Sequence, residues 1–226
     1  VNAVRVVSLV PSVTETLAAW DRAPIACTRY CERPDLEAVG GTKSPDLERI
    51  AELQPDLVVM DAEENRREDY DRLVGRGLRV LALHVRSLTE VDLAMSELAA
   101  SVGATWAPLR MGEPAPTRLW AFVPIWRRPY LALGTPTYGA SLLAHLGVAT
   151  VYDDVGPYLE VDLTDAAARS PDVVLAPSEP YPFGERQRNE LESVAPTVFV
   201  DGKDLFWWGV RTRGALARLD TVLRGI

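Results

Sequence analysis

Histidine and cysteine are scarce, with two of each in 226 residues. Two histidines cannot assemble a three-histidine site for zinc or manganese. Two cysteines, Cys27 and Cys31, cannot build a disulfide framework, and one C-x-x-x-C spacing lacks the four ligands of a structural zinc, so the pair reads as two small residues of the interior. Long apolar runs are missing as well: nothing approaches the roughly 18–20 uninterrupted apolar residues of a membrane helix. Positive charge is in deficit, with 24 Lys plus Arg against 32 Asp plus Glu and a net charge of −8. That balance argues against a nucleic-acid binder, which needs a basic surface to displace counterions. Catalytic motifs are absent too: there is no G-x-S-x-G elbow, no H-E-x-x-H and no P-loop. Gly75-Arg76-Gly77 lacks the third glycine of a dinucleotide fingerprint. No spacing favours Cys31 and His84 as nucleophile and base. A non-catalytic protein with no metal ligands of its own is therefore expected.

What remains is an ordinary globular composition, 47% hydrophobic and 25% charged, with length enough for two compact lobes of about 100 residues each. The run Arg5 to Val10 has the continuous apolar character of a parallel strand buried on both faces. Pro11 ends it, and Ser12-Val13-Thr14-Glu15 carries the spacing of a capping box at a helix start. Ser44 before Pro45 reads as an N-cap with proline at the first helical position. Leu57 to Met60 is the next strand, Glu63 to Arg72 a solvated helix face, and Leu78 to Val85 a further strand. Ser87 to Ala104 is a long helix opened by a second capping box and ended at Gly103. Pro108, Gly112, Pro114 and Pro116 then mark a linker.

Beyond the linker the first half recurs. Leu133 to Pro136 echoes Ser8 to Pro11, with Pro136 lying 125 residues after Pro11; Pro171 to Leu175 echoes Pro55 to Val59 at 116; and Val198 echoes Val80 at 118. Ordered matches at nearly constant offset predict two similar α/β lobes with parallel sheets. The expected organisation is an N-terminal lobe over 1–86, a backbone helix and linker over 87–117, and a C-terminal lobe over 118–226.

In parallel α/β sheets ligands bind outside the carboxyl ends of the strands. The loops at that edge supply the candidate ligand contacts Ser12, Tyr30, Lys43 and His84 from the first lobe. From the second come Trp126, Arg127, Tyr138, Tyr181 and Trp208. Rigid rings with polar edges suit a wide, partly apolar ligand. An adjacent Trp207 and Trp208 cannot both face such a ligand from one strand, and Trp208 is the better candidate.

Three first-half segments, R-V-V-S-L-V-P-S-V-T-E-T at Arg5 to Thr16, G-G-T-K-S-P-D-L-E-R-I at Gly40 to Ile50 and Q-P-D-L-V-V at Gln54 to Val59, stand beside three in the second half. These are P-Y-L-A-L-G at Pro129 to Gly134, L-L-A-H-L-G-V at Leu142 to Val148 and S-P-D-V-V-L at Ser170 to Leu175. In this order they resemble the cobalamin and iron-siderophore (class III, helical-backbone) substrate-binding proteins of ABC transporters. P-I-W-R-R-P at Pro124 to Pro129 and E-P-Y-P-F at Glu179 to Phe183 are similar to the short helical-backbone metal receptors. The resemblance implies two Rossmann-like lobes joined by one helix and aromatic ligand contacts at Tyr30, Trp126 and Trp208. It also implies glutamates that dock on a permease dimer, here Glu63 or Glu64 and Glu179 or Glu185.

The implied ligand is a metal chelate held without covalent attachment, a cobalamin or other corrinoid first, a ferric siderophore or haem next. No signal segment, lipid-anchor cysteine or spacer precedes the first strand. An extracytoplasmic place follows if a signal was removed ahead of Val1, a cytoplasmic one otherwise. The alternative reading is a cytosolic tetrapyrrole- or chelate-binding protein, or a chelatase-like enzyme using His84.

Overall fold

The computed structural model describes residues 3–226, which divide into two compact units. The first runs to Val85 and also takes in Thr89–Pro108 and Trp208–Arg211; the second holds Arg86–Leu88, Leu109–Trp207 and Thr212–Ile226.

In the first unit β1 (Val6–Ser8), β2 (Ala26–Cys27), β3 (Glu37–Ala38), β6 (Leu57–Asp61) and β7 (Val80–Leu83) form one sheet in the order β3-β2-β1-β6-β7. Each neighbouring pair in it is parallel. β1 and β6 are interior strands and read as unbroken buried runs, because both of their faces are covered. The helices are α1 (Pro11–Ala19), α2 (Leu47–Glu52), α3 (Arg67–Gly75) and α4 (Leu88–Val102), and a small hairpin pairs β4 (Gly40–Gly41) with β5 (Ser44–Pro45). Val7, Leu9, Ile50, Val58, Met60 and Leu73 belong to one buried cluster. Burying each such large side chain contributes about 1.5–3 kcal/mol. That packing, more than helix propensity, holds α3, of which only Asp69 and Leu73 are buried.

Two helix starts differ from the sequence expectation. α1 begins at Pro11 with Val10 as N-cap and no side-chain cap bond, since proline at the first position needs no N–H partner. Ser12 thus lies inside the first turn, and the Glu15 carboxylate goes to Arg211 at 2.6 Å. For α2 the cap is Asp46, whose carboxylate accepts from Arg49 N–H at 3.0 Å. Ser44 and Pro45 are strand residues instead, because Gly40 turns the chain at φ +89°, where an added Cβ would stand 2.5 Å from the Ser44 carbonyl oxygen.

The second unit has a parallel sheet, ordered β11-β8-β13-β14, from β8 (Leu119–Phe122), β11 (Val148–Thr150), β13 (Val173–Pro177) and β14 (Thr197–Val200). A separate antiparallel sheet joins β12 (Tyr158–Val161), β10 (Tyr130–Leu133) and β9 (Pro124–Trp126). Its helices are α5 (Tyr138–His145), α6 (Leu163–Ala168), α7 (Arg188–Leu191), which follows a 3-10 turn at Glu185–Gln187, α8 (Gly202–Phe206) and α9 (Thr212–Leu223). The proline-rich segment 104–118 carries no helix or strand.

The internal repeat is present, but the first of the three sequence matches pairs strands that are not equivalent. β13 begins and ends 116 residues after β6, and each sits one strand in from the edge, beside β14 and β7 respectively. By place in the sheet, however, β1 corresponds to β8, not to the β10 segment Leu133 to Pro136. A β9–β10 hairpin is inserted between β8 and α5, and β10 ends in an apolar run, a proline and a helix that imitate the β1–α1 passage.

Candidate functional site

In each unit the strand order reverses direction once. From β1 the chain moves outward through β2 and β3, then returns to the other side of β1 for β6 and β7; β8 and β13 repeat this. The loops beyond the carboxyl ends of β1 and β6 therefore diverge and leave the crevice where parallel sheets receive ligands.

In the first unit that crevice is organised by two residues outside the candidate ligand contacts, Asp61, which the sequence places in a loop at this edge, and Asn65, which it does not single out. The Asn65 side chain accepts from the Asp61 N–H at 2.8 Å and donates to the Leu9 carbonyl at 3.2 Å and the Thr42 carbonyl at 2.9 Å. It thereby joins the loops after β1, β4 and β6. Asp61 Oδ1 accepts from Glu63 N–H at 2.8 Å and Glu64 N–H at 3.2 Å, while Oδ2 is buried without a partner. Burial pushes this carboxyl up to about 6, against the two N–H donors that favour its charge.

Lys43 and His84 come to the same loop. Lys43 Nζ donates to the Glu63 carbonyl at 2.7 Å, and His84 Nε2 stands 3.9 Å from Glu63 Oε1. Ser12 is nearly fully buried in α1, with an unpartnered hydroxyl. Tyr30 is 52% exposed, with the Arg29 guanidinium 5.0 Å from its ring centre and donating to its Oη at 3.2 Å. Trp208 packs with the first unit and is only 4% exposed. The depression lined by Met60, Asp61, Asn65, Tyr70 and Ala82 measures about 220 Å³. That is below the roughly 300 Å³ at which drug-sized ligand sites begin, so it is no place for a wide ligand.

The second unit contributes an aromatic ladder. Trp126, 44% exposed, meets Tyr181 edge to face at 5.9 Å; Tyr181 leans on Phe183 at 4.7 Å; and Phe183 stacks on Tyr130 at 6.3 Å. Trp126 ends β9, Tyr130 opens β10, and Tyr181 and Phe183 follow β13, so the inserted hairpin supplies half the ladder. Beside it, Arg127 forms a two-pronged ion pair with Glu190, at 2.7 Å from Nη2 and 3.2 Å from Nε to Oε2. The guanidinium and the neighbouring Tyr130 hold the Glu190 carboxyl below the usual carboxylate range. Tyr138 is a core residue: it is buried and shares a 2.9 Å hydrogen bond with Thr212, and desolvation raises its phenol.

Of the four glutamates, Glu63 and Glu179 occupy matching places, each two residues past β6 or β13. Glu185 is paired with Arg188 at 2.6 Å. Glu64 lies next to Glu63 on the turn that Asp61 caps.

Two α/β units, each with a ligand edge at a switch point and one carrying a partly exposed aromatic ladder, offer surfaces on which a ligand can be held. The family model described as periplasmic binding protein matches residues 6–105. The vitamin B12-binding protein of Salmonella typhi is 24% identical over 189 residues, 76% of this chain and 71% of that one. Its counterpart from Pectobacterium carotovorum is 22% identical over 224 residues, 89% of this chain and 81% of that one.

Among solved structures, the periplasmic vitamin B12 binding protein BtuF of Vibrio cholerae superposes with a TM-score of 0.76 at 18% identity, covering 98% of this chain and 97% of its own. A periplasmic heme binding protein from Pseudomonas aeruginosa gives 0.78 at 20% identity, covering 98% and 92%. At such identities these two superpositions speak for the fold. The match to the periplasmic binding protein family over residues 6–105 and the relatives along most of the chain make this protein similar to substrate-binding proteins, with which it shares its two-unit fold.

Proposed function

We propose that this protein captures a corrinoid and delivers it to the permease dimer of an ABC importer. The observation that carries the reading is the Trp126–Tyr181–Phe183–Tyr130 ladder, open at Trp126 and flanked by an arginine whose charge Glu190 already balances. Stacked and edge-on rings offer contact area to a broad macrocycle at little entropic cost. A balanced Arg127 favours a near-neutral rim of amides over a polyanion, because a guanidinium spent on a carboxylate is a weak receptor for another. Among the described residues no three His, Cys, Asp or Glu side chains lie close enough to hold a metal. In this reading the chelate supplies the ligands of its own metal.

The B12-binding names of the sequence relatives favour a corrinoid, whereas the structural neighbours include heme-binding proteins. Glu63 and Glu179, at matching places in two repeated units, suit docking on two matching permease subunits. A receptor of this kind works outside the cytoplasmic membrane, and that is the compartment proposed.

Isothermal titration with cyanocobalamin, haemin and a ferric siderophore tests the ligand. Cobalamin is expected to bind at micromolar concentration or tighter, and the other two more weakly. A preference for haemin or the siderophore would transfer the reading to that chelate, and failure of all three would end it.

A further inference from the structure

The two cysteines lie four residues apart around one turn, and the Cys31 sulfur has polar neighbours. Cys27 ends β2, and the chain then turns back on itself, with Cys31 N–H donating to the Thr28 carbonyl at 3.1 Å. This turn brings Cys31 back toward Cys27, close enough for the two thiols to influence each other's charge. Two threonine hydroxyls also converge on the Cys31 sulfur, Thr14 from α1 and Thr28 from the turn, each at 3.2 Å. All four side chains are buried, Cys27 at 2% and Cys31 at 5% exposure. The turn itself is at the surface, since Arg29 and Tyr30 are exposed.

Two cysteines that merely filled space would have apolar neighbours; here two threonine hydroxyls meet one sulfur. Their effect is unequal: the neighbouring Cys27 and the two hydroxyls lower Cys31 against its burial, while the neighbouring Cys31 and desolvation raise Cys27. A thiolate next to a protonated thiol is the pairing that thiol oxidation requires, one sulfur to attack and one to resolve. A metal site is a poorer fit, because no third metal-binding side chain joins the pair among the described residues.

We propose that Cys27 and Cys31 are a peroxide-sensitive dithiol–disulfide pair built into the turn that carries Tyr30. The Cys31 thiolate attacks one oxygen of hydrogen peroxide, the O–O bond breaks, and the departing hydroxide takes a proton to become water. Cys31 is then a sulfenic acid. The Cys27 sulfur gives up its proton and attacks the Cys31 sulfur; the S–S bond forms, the S–O bond breaks, and the hydroxide leaves with that proton as a second water. Two electrons pass from the thiols to the peroxide, and a small dithiol reductant reverses the change by exchange.

The test treats the full chain with dilute hydrogen peroxide and follows intact mass and free thiols. Wild type is expected to lose both thiols together, with a mass lower by two hydrogen atoms and no dimer, and to recover with dithiothreitol. Cys27→Ser keeps a donor to Cys31 and is expected to stop at a sulfenic acid on Cys31 that dimedone traps. Its rate should rise with pH to a plateau with a midpoint below the ordinary thiol value. Cys31→Ser should react at least about tenfold more slowly at pH 7, since desolvation still raises Cys27 there and leaves little thiolate.

Joint Thr14→Val and Thr28→Val substitution in the Cys27→Ser background should move that midpoint toward the ordinary thiol value of about 8.5. Independent oxidation of the two thiols, or equal rates in the two serine variants, would overturn the proposal. So would a midpoint unmoved by loss of the threonine hydroxyls, a readout that stands even if Cys31→Ser folds poorly.

Discussion

The side-chain amide of Asn65 donates to the main-chain carbonyl of Leu9 at 3.2 Å, across 56 residues of sequence. Leu9 follows β1 and Asn65 follows β6, the two strands on either side of the point where the sheet order reverses. The same side chain also serves Thr42 and the Asp61 N–H. One buried amide thus ties together the loop that leads into α1 and the loops that carry Lys43 and Glu63.

Replacing Asn65 by Leu keeps the volume and strands three backbone groups. Each buried group left unpaired costs about 1–3 kcal/mol, and partial rehydration of an exposed neighbour relieves some of that. Urea unfolding is expected to show a loss of about 2–4 kcal/mol with little change in the denaturant slope. A loss under about 1 kcal/mol would mean that the loops hold one another without Asn65.

Asp61 gives the protein an unusual dependence on pH. Its carboxyl titrates near 6 when folded, above its ordinary value of 3.8. Between those values the folded chain holds a proton that the unfolded chain has released, so stability falls as pH rises through about 4 to 6. Above that window the penalty is complete, at most about 3 kcal/mol for two pK units. Asp61→Asn keeps an acceptor for the Glu63 and Glu64 N–H groups and removes the titration. The difference in unfolding free energy between this variant and wild type should therefore grow across pH 4 to 6 and be flat above 7. A constant difference would show that the carboxyl titrates normally.

Much of this was readable beforehand, and the failures have physical causes. Interior parallel strands are apolar on both faces, so β1, β6 and β13 stood out, and the 116-residue spacing of β6 and β13 was visible in Pro55 and Pro171. The hairpin of β9 and β10 was hidden because Leu133 to Pro136 imitates a strand-to-helix passage, and only backbone pairing shows its antiparallel partners. Asn65 lies in the charged run Glu63 to Arg72, where nothing local separates a buried amide from a solvated one. Arg127 could not be matched with Glu190, 63 residues later, by any periodic rule. Tyr138 was judged by its place after a strand, yet it is the first residue of α5 and faces Thr212 of α9.

Gly202 sits against the candidate docking residue of the second unit. A Cβ there would stand 2.5 Å from Glu179 Cγ and 2.6 Å from both its backbone nitrogen and oxygen. Gly202→Ala must therefore push the Ser178–Glu179 segment aside, at about 1–3 kcal/mol for overpacking. Stimulation of a reconstituted transporter's ATPase should fall while corrinoid affinity in titration is kept. Equal loss of both would place this segment in ligand binding rather than in docking.

The aromatic ladder makes the sharpest demand on the ligand reading. Trp126→Ala removes the exposed end, and loss of its contacts with a stacked macrocycle should weaken corrinoid binding at least about tenfold, or 1.4 kcal/mol. Stability should change little, because Trp126 is 44% exposed and meets only the edge of the ladder at Tyr181. Trp208→Ala is the contrasting case: the ring is 4% exposed, and its removal should cost about 3–5 kcal/mol of stability whatever it does to binding. Glu190→Gln leaves the Arg127 geometry in place and frees its charge, so affinity for an anionic chelate such as haemin should rise relative to cobalamin. Titration of the three variants with both chelates separates these effects. Unchanged cobalamin affinity in Trp126→Ala would remove the ladder from the binding site, and an unchanged ratio in Glu190→Gln would show that charge balance at Arg127 does not choose the ligand.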